Sequence, residues 1–331
     1  MHLPRFTHLT PSSIKEAVNL LNEYPDSALM AGGTDLLPRM KYRLDVPETV
    51  ISLKNLRPDP PTVTPKGDLV LDALMTLNTI NHSSLIKERA PIVADAVQMV
   101  ASNEIRNMGT VGGNLCQDTR CLYYNQSHRF QFVEPCYKRG GNLCCFIPKG
   151  KKCWAVFMAD TAPALISLGA EIKIMGPEGV RQLPLEDFYT GDAKRPLAMA
   201  PGEILFKVII PGGTVNRGEA FFKLSLRGGL EFAALSVAAV IDVKEDKNTC
   251  YQARLTAGAI SARPKRAPKG EAALTERPLS HDLFSEVADL VAQEIDPVPH
   301  HGYSRAYLAE AVRVATKGVL VKAAEQINRD G

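Results

Sequence analysis

Apolar spacing in the first part of the chain predicts a helix followed by two short strands. Apolar residues recur at helical spacing over 14–21, and Ser13 opens a capping box with Glu16 ahead of them. Apolar runs at 28–31 and 49–53 have the length of strands. A glycine-rich segment follows the first of these runs, so we expect a β-α-β unit that carries a glycine loop.

The middle of the chain alternates predicted strands and helices, which are separated by turns rich in glycine and proline. In chain order, the pattern predicts paired strands at 62–64 and 69–74, a helix after Pro91, a helix that Asp160 caps and Gly169 ends, and strands at 170–175 and 204–210.

The last third of the chain changes character after a turn at 211–213, which we interpret as a domain boundary. Strand patterns come first and helical patterns follow, with strands at 219–226, 233–242 and 251–260 and helices at about 280–295 and 304–325. A run of strands followed by helices is the order of an α+β domain.

Length and composition narrow the class of protein. At 331 residues the chain exceeds one ordinary core and suits two or three domains. Its 45% hydrophobic and 23% charged residues are typical of a globular protein, and a net charge of only +3 gives no footprint for nucleic acid. The N-terminus lacks a signal-peptide pattern, and no stretch is apolar enough to span a bilayer. We therefore expect a cytoplasmic protein without a membrane span or a nucleic-acid partner.

Two glycine-rich segments, 32–35 and 109–114, carry the first chemical signal. Glycine lets the backbone approach a ligand closely and point successive N–H groups at an anion such as a diphosphate. Neither segment matches the fingerprint of nicotinamide-binding Rossmann folds or of nucleotide hydrolases. Two such segments in one domain indicate one dinucleotide that is held twice. Taken alone, the Gly32-Gly33 pair favours an ordinary turn, because Gly-Gly is a common turn dipeptide.

The order of these segments resembles a known family. The strings Ala31-Gly32-Gly33-Thr34-Asp35-Leu36 and Gly109-Thr110-Val111-Gly112-Gly113-Asn114-Leu115, with Asp160 ahead of Ala162-Pro163-Ala164-Leu165, are similar to those in the FAD-binding subunits of the xanthine dehydrogenase and carbon monoxide dehydrogenase family. The resemblance implies a two-lobed α/β FAD-binding domain of the vanillyl-alcohol-oxidase type over 1–213, with lobes of about 1–56 and 57–213. It further implies a C-terminal α+β domain over 214–331, for which we expect a three-stranded antiparallel sheet with helices.

The resemblance also implies which residues contact FAD. Backbone N–H groups of both glycine-rich segments would bind the diphosphate, and Asp160 would contact the nucleotide. Lys223 and Arg227 would face the flavin edge, with two solvated charges on a strand as the alternative. The expected cofactor-binding set is Met30, Ala31, Gly32, Gly33, Thr34, Asp35, Leu36, Thr110, Val111, Gly112, Gly113, Asn114, Asp160 and Lys223.

Cysteines are concentrated in one part of the chain. Six of the seven lie between positions 116 and 153, and only Cys250 stands apart. The family has a much shorter connection between the second glycine-rich segment and its aspartate, so we interpret about 116–153 as an insert. Residues 122–152 show no helical or strand period, and thiolate ligation of a metal or cluster would order such a loop. Four thiolates suit a [4Fe-4S] cluster or a structural zinc ion, so the residues alone leave both open.

The insert resembles that of the 4-hydroxybenzoyl-CoA reductase β subunits, the branch of the family with an additional [4Fe-4S] cluster. The similarity lies in the string 112–121 and in residues 124–127. By this resemblance the ligands are Cys121, Cys136, Cys144 and Cys153. Cys145 stays an alternative to Cys144, although the spacing of Cys144 fits better, and we expect Cys116 to be a buried small residue.

No pattern in the chain supplies a substrate acid, base or nucleophile, which favours a subunit that holds cofactors and transfers electrons. The resemblance implies a large molybdenum-cofactor subunit, a small [2Fe-2S] subunit and an external carrier (ferredoxin or NAD), in a complex that we expect to be a dimer of heterotrimers. It implies the reductive dehydroxylation of an aromatic acyl-CoA. The alternatives are an oxidative hydroxylase that passes electrons to NAD or another acceptor and, outside this class, a zinc-stabilised binding protein.

Overall fold

The computed structural model describes residues 2–125, 135–147, 149–214, 216–228 and 230–329. The strands are β1 (Thr7–Leu9), β2 (Ser27–Met30), β3 (Thr49–Ser52), β4 (Thr62–Val63), β5 (Leu69–Asp72), β6 (Glu171–Gly176), β7 (Gly179–Pro184), β8 (Ile204–Ile210), β9 (Arg217–Leu224), β10 (Leu235–Val243), β11 (Cys250–Gly258) and β12 (Lys265–Arg266). The helices are α1 (Ile14–Glu23), α2 (Leu36–Lys41), α3 (Leu77–His82), α4 (Ser84–Arg89), α5 (Pro91–Gln98), α6 (Asn103–Met108), α7 (Val111–Leu115), α8 (Thr161–Ser167), α9 (Pro268–Leu274), α10 (His281–Glu294) and α11 (Arg305–Arg329). None of the helices in these ranges combines the length and the apolar character that a bilayer crossing requires.

The first lobe is built on three parallel strands in the order β1-β3-β2. Helix α1 packs against this sheet and buries Ala17 and Val18, which confirms the predicted helix. The Ser13 hydroxyl caps it by accepting a hydrogen bond from the Glu16 N–H at 3.1 Å. The predicted capping box is incomplete, however, because the Glu16 carboxylate accepts its backbone hydrogen bond from Ser12.

The second lobe is a five-stranded antiparallel sheet in the order β4-β5-β8-β6-β7. Its four predicted strands are confirmed, whereas β7 was missed because it lies on the sheet edge and is largely exposed. Helix α8 is buried along its whole length, and Gly169 follows it with φ of 71°. The prediction that Asp160 caps this helix is wrong. Its side chain makes no capping hydrogen bond and instead pairs with Lys223.

The C-terminal sheet has four antiparallel strands, in the order β12-β11-β10-β9, and not the three that were expected. The missed strand, β12, consists of two half-buried basic residues and therefore has no apolar alternation. Helices α9, α10 and α11 complete this part of the chain, and the first of them was also missed. Helix α8 packs against β10 and β11, and Phe221, Ala238 and Val240 belong to the same apolar core as the second lobe.

The second glycine-rich segment is not the loop that its sequence predicted. Most of it forms α7, and Thr110 caps that helix by accepting a hydrogen bond from the Gly113 N–H. A helix of five residues with two glycines is too short for apolar periodicity to show. The short helices α2, α3, α4 and α6 escaped prediction for the same reason.

Candidate cofactor site

A cleft of about 730 Å³ lies between the first lobe and the second. A volume of this size suits a large organic cofactor. Of the residues expected to bind FAD, those that line the cleft are Met30, Ala31, Gly32, Gly33, Thr34, Asp35, Leu36, Thr110, Gly112, Gly113 and Asn114. The structure thus brings the two glycine-rich segments together on one cleft, whereas Val111, Asp160 and Lys223 do not line it.

The first glycine-rich segment presents its backbone to the cleft. The N–H groups of residues 32–35 find no hydrogen-bond acceptor among the described residues. Gly33 has a φ of 71°, a left-handed conformation that glycine adopts without strain. Helix α2 begins directly after the segment, at Leu36. Successive N–H groups that point outward in such a turn form a concave site suited to an anion.

The second segment uses its N–H groups inside the protein. The Val111 N–H donates to the Met75 carbonyl at 3.0 Å, and the Gly112 N–H donates to the Ala73 carbonyl at 2.8 Å. The Gly113 N–H donates to Thr110 Oγ1 at 3.0 Å. These three N–H groups therefore already have acceptors within the chain, and the expected diphosphate contact of this segment stays a prediction. The segment forms a wall of the cleft.

Glycine at positions 32 and 112 permits two close backbone contacts. A Cβ on Gly32 would overlap the carbonyl oxygen of Met108, so the two glycine-rich segments touch at this point. A Cβ on Gly112 would lie 2.8 Å from both the Cβ and the carbonyl oxygen of Ala73. Glycine at these two positions therefore allows backbone segments that line the cleft to pack in direct contact.

Charged residues that the sequence did not single out also line the cleft. Arg39, Arg120 and Arg195 are among them, and Arg120 forms an ion pair with Asp35 of the first segment. The Arg120 guanidinium also stacks on the Phe232 ring, 4.3 Å from its centroid. Because the phenylalanine comes from the segment that precedes β10, the C-terminal part of the chain helps to close the cleft. No local pattern could have joined residues so far apart in sequence.

Asp160 and Lys223 form a buried ion pair outside the cleft lining. Lys223 Nζ donates to Asp160 Oδ2 and to the Met99 carbonyl, both at 2.7 Å. Burial raises the pKa of Asp160 to about 6, and the nearby Lys223 ammonium opposes that rise. The next residue, Thr161, donates to the Asn114 side-chain oxygen at 2.5 Å, which links the pair to the cleft wall.

Arg227 lies apart from this pair. Its side chain is 78% exposed and contacts Glu231 at 3.3 Å, which agrees with the solvated alternative for this residue.

Five cysteines of the insert line one small cavity: Cys121, Cys136, Cys144, Cys145 and Cys153. The cavity measures about 10 Å³, which is about the room that one water needs. None of the seven cysteines forms a disulfide. In the described ranges, no three Cys, His, Asp or Glu side chains lie close enough together to hold a metal ion. Residues 126–134 and 148 of the insert lie outside those ranges.

Backbone N–H groups lie near three of the four expected ligand sulfurs. The Ile147 N–H donates to Cys144 Sγ at 3.3 Å. Burial raises the pKa of the Cys121 thiol, while the N–H groups of Tyr124 and Tyr123 oppose the rise. Burial likewise raises the pKa of Cys153, and the Ala155 N–H opposes it. Such N–H donors are common around sulfur that binds an iron–sulfur cluster.

Cys116 differs from the other five cysteines of the insert. It lines the large cleft and not the cysteine cavity, and burial raises its pKa to about 12. A thiol with so high a pKa stays protonated and unreactive at neutral pH.

Two family profiles match the chain. The FAD binding domain in molybdopterin dehydrogenase matches residues 4–213, well over half of the sequence, and the CO dehydrogenase flavoprotein C-terminal domain matches residues 220–323. The chain therefore belongs to the FAD-binding subunits of the xanthine dehydrogenase and carbon monoxide dehydrogenase family of molybdenum hydroxylases, and it binds FAD.

Curated relatives match nearly end to end. The nicotinate dehydrogenase FAD-subunit of Eubacterium barkeri is 25% identical over 325 residues, which is 97% of this chain and 97% of that protein. The carbon monoxide dehydrogenase medium chain of Hydrogenophaga pseudoflava is 26% identical over 296 residues, 89% of this chain and 88% of that one.

Solved structures share the fold. A Cu,Mo-CO dehydrogenase chain superposes with a TM-score of 0.81 at 23% identity, over 98% of this chain and 100% of that chain. A chain of quinoline 2-oxidoreductase from Pseudomonas putida 86 gives a TM-score of 0.78 at 23% identity, over 99% of both chains. The mixed α/β part and the C-terminal antiparallel sheet are thus arranged as in these enzymes.

Proposed function

We propose that this chain is the electron-relay subunit of a molybdenum enzyme and that it holds FAD and an iron–sulfur cluster side by side. The observation that carries the proposal is the convergence of five insert cysteines on one cavity in a protein of a flavin-binding family. FAD bound in the cleft would supply the exchange between one- and two-electron carriers. The chain itself contributes binding and orientation.

The first glycine-rich segment is the proposed diphosphate site. Its N–H groups over 32–35, which have no acceptor among the described residues, and the guanidinium groups of Arg39 and Arg120 place hydrogen-bond donors on one side of the cleft. Both arginines are paired with carboxylates there. The second segment, 110–114, would pack against the cofactor as a wall. Asp160 and Lys223 would support that wall without contacting the cofactor, since neither lines the cleft.

The cysteine cavity is the proposed [4Fe-4S] site, with Cys121, Cys136, Cys144 and Cys153 as ligands. Backbone N–H groups near three of these sulfurs support ligation, because the sulfurs that bind iron–sulfur clusters commonly accept such hydrogen bonds. Because the cavity has room for only about one water, the insert would have to open around a cluster. A zinc ion remains the competing occupant, and the experiment below separates the two.

Further features of the proposal follow from the similarity of the insert to 4-hydroxybenzoyl-CoA reductase β subunits. We propose a two-lobed flavin domain of the vanillyl-alcohol-oxidase type over 1–213 and a C-terminal domain over 214–331. In the cytoplasm, the chain would assemble with a large molybdenum-cofactor subunit and a small [2Fe-2S] subunit as a dimer of heterotrimers. Electrons would pass from a ferredoxin-like donor to an aromatic acyl-CoA, which would be reductively dehydroxylated.

An oxidative direction is the second candidate function. It is favoured by the names of the relatives, which include a nicotinate dehydrogenase and a carbon monoxide dehydrogenase. In this case electrons would leave the substrate and exit through FAD to NAD or another acceptor. Cluster potentials span about −700 to +450 mV, so either direction is open to a thiolate-bound cluster.

Cofactor content tests the proposal directly. The chain, purified anaerobically in its native complex, should contain iron, acid-labile sulfide and FAD, and should show a reduced-cluster EPR signal that the [2Fe-2S] subunit does not account for. Substitution of Cys121, Cys136 or Cys153 by serine should remove that signal and leave FAD bound. Zinc without iron in the parent chain would refute the cluster, and recovery of a lone chain that turns over substrate would refute the relay role.

The adjacent pair Cys144 and Cys145 provides a matched control, since both line the cavity. We expect Cys144→Ser to lose the cluster iron and Cys145→Ser to keep it, because the spacing of Cys144 from Cys136 and Cys153 fits the ligand pattern better. The reverse result would reassign the ligand by one residue. A modest loss of packing is all that we expect of Cys116→Ser.

A further inference from the structure

The cleft and the cysteine cavity share a wall of ionic side chains. Arg39 and Asp118 line the cleft, while Tyr124 and Lys138 line the cavity. The Asp118 carboxylate contacts a cation on each side, because Oδ1 accepts from Lys138 Nζ at 2.6 Å and Oδ2 accepts from Arg39 Nη1 at 2.8 Å. One carboxylate therefore connects the two sites.

Lys138 is fixed firmly in this wall. Its side chain is only 5% exposed. Besides Asp118, the ammonium donates to Thr119 Oγ1 at 2.5 Å and to the Ala193 carbonyl at 2.7 Å, so all of its protons have acceptors. It also lies 4.9 Å from the centre of the Tyr124 ring. An ammonium with three acceptors is held in one position.

The ionic groups of the wall balance in charge. Arg39 pairs with Asp45 as well as with Asp118, and Asp118 also pairs with Lys138. The two cations and the two carboxylates together have a net charge of zero. Charges act over longer distances in a poorly hydrated interior than in water, because the effective dielectric constant is lower. Removal of any one of these charged groups would therefore leave a net charge in the wall and change the electrostatic potential at both sites.

We infer that Lys138 is a positioning residue whose fixed charge, held on Asp118, sets the reduction potential of the flavin in the cleft and of the group held by the cysteines. The cysteine half of this inference rests on the proposed function, whereas the flavin half rests only on FAD binding. A positive charge stabilises the added electron of a reduced centre. Lys138 thus keeps both potentials higher than the two carboxylates alone would allow.

Two substitutions that change the charge of the wall in opposite directions test the inference in the full complex. Lys138→Met leaves the wall one charge more negative and should lower the flavin potential. Asp118→Asn leaves it one charge more positive and should raise that potential. Each should change the ratio of oxidised to reduced flavin at a fixed potential by up to about tenfold, which is about 30 mV for a two-electron couple. Spectroelectrochemical titration of the flavin band measures both.

Two further variants separate charge from damage to the structure. Lys138→Arg keeps the charge and should keep the potential, and the double substitution Lys138→Met with Asp118→Asn should return it close to the parent value. Loss of packing alone would move both single variants in the same direction. Unchanged potentials in both, or shifts of the same sign, would overturn the inference.

The cysteine-held group supplies an independent reading. If iron is present, EPR-monitored titration should show its potential moving with the same signs as that of the flavin. If the chain proves to contain no iron, the cluster proposal fails, while the flavin titration still decides the role of Lys138.

Discussion

The two glycine-rich segments of the cleft resemble each other in sequence and differ in what their backbones do. Residues 32–35 leave their N–H groups without acceptors in the described part of the protein, whereas those of 111–113 donate to Met75, Ala73 and Thr110. Backbone N–H groups bind an anion only when the fold leaves them unpaired. In the described part of the protein, the first segment therefore has N–H groups available to an anion, whereas the second uses three of its own internally, although both read as Gly-Gly in the sequence.

The second segment has further contacts with residues that do not line the cleft. The Asn114 side chain accepts a hydrogen bond from Thr161, and the neighbouring Asp160 is anchored by Lys223. The side chains of this ion pair are 5% and 4% exposed. The first segment has different contacts, namely with the Met108 backbone and, through Asp35, with Arg120, which also lines the cleft. Loss of either set of contacts should affect the two segments unequally.

The largest effect is expected for Lys223→Met, which leaves Asp160 buried without its counter-charge. Removal of one partner of a buried pair typically costs about 3–5 kcal/mol. The effect should depend on pH, because burial already raises the Asp160 pKa to about 6 and loss of Lys223 raises it further. The folded state then binds a proton that the unfolded state releases, so stability falls as pH rises from about 4. Urea unfolding at pH 5 and pH 8 should show the greater loss at pH 8.

The same variant tests the expected contact between Lys223 and the flavin. If the lysine only supports the wall, the folded fraction of the protein should retain FAD. Loss of FAD with an unchanged unfolding midpoint would instead place the lysine at the cofactor.

The next effect in size is expected for Gly32→Ala. A Cβ at this position would overlap the Met108 carbonyl oxygen, and backbone cannot move aside as a flexible side chain can. Overpacking of this kind costs about 3 kcal/mol. Because the segment must shift, its N–H groups should lose their alignment, so both the free energy of unfolding and the FAD content should fall. Normal FAD content in a destabilised protein would show that the cofactor does not depend on this segment.

The sequence predicted most of the longer elements and missed most of the shortest ones. Helix α1 and strands β5, β6 and β8 were found because their apolar residues repeat over several positions. Strand β12 and helix α7 were missed because two and five residues are too few for a period. The glycines of segment 32–35 allowed the sequence to predict that this segment belongs to the cofactor site. Arg39, Asp118 and Phe232 were not predicted there, because only the folded chain brings them to the cleft.

A smaller effect is expected for Gly112→Ala. The added Cβ would lie 2.8 Å from the Cβ and the carbonyl oxygen of Ala73, closer than atoms normally approach. We expect a loss of about 1–2 kcal/mol, with FAD affinity nearly unchanged, since the segment contributes shape and not N–H donors. The double substitution Ala73→Gly with Gly112→Ala relieves one of the two contacts and should recover part of the loss. A large fall in FAD affinity with normal stability would assign this glycine to the cofactor instead.

The smallest effect on stability is expected for Gly113→Ala, and it should be accompanied by a clear loss of FAD affinity. Among the described residues, and apart from its own helix backbone and chain neighbours, a Cβ here would meet only Thr110 Oγ1, at 3.0 Å. Gly113 also lines the cleft. Within a helix, alanine is favoured over glycine by about 0.5–1 kcal/mol, which should offset the crowding of the threonine. Unfolding should therefore stay within about 0.5 kcal/mol of the parent protein. An FAD that packs on this wall would meet the new methyl group, and its Kd, measured by flavin fluorescence, should rise about tenfold, or about 1.4 kcal/mol. Unchanged affinity would mean that FAD leaves this part of the wall uncovered, and the second glycine-rich segment would then serve the fold alone.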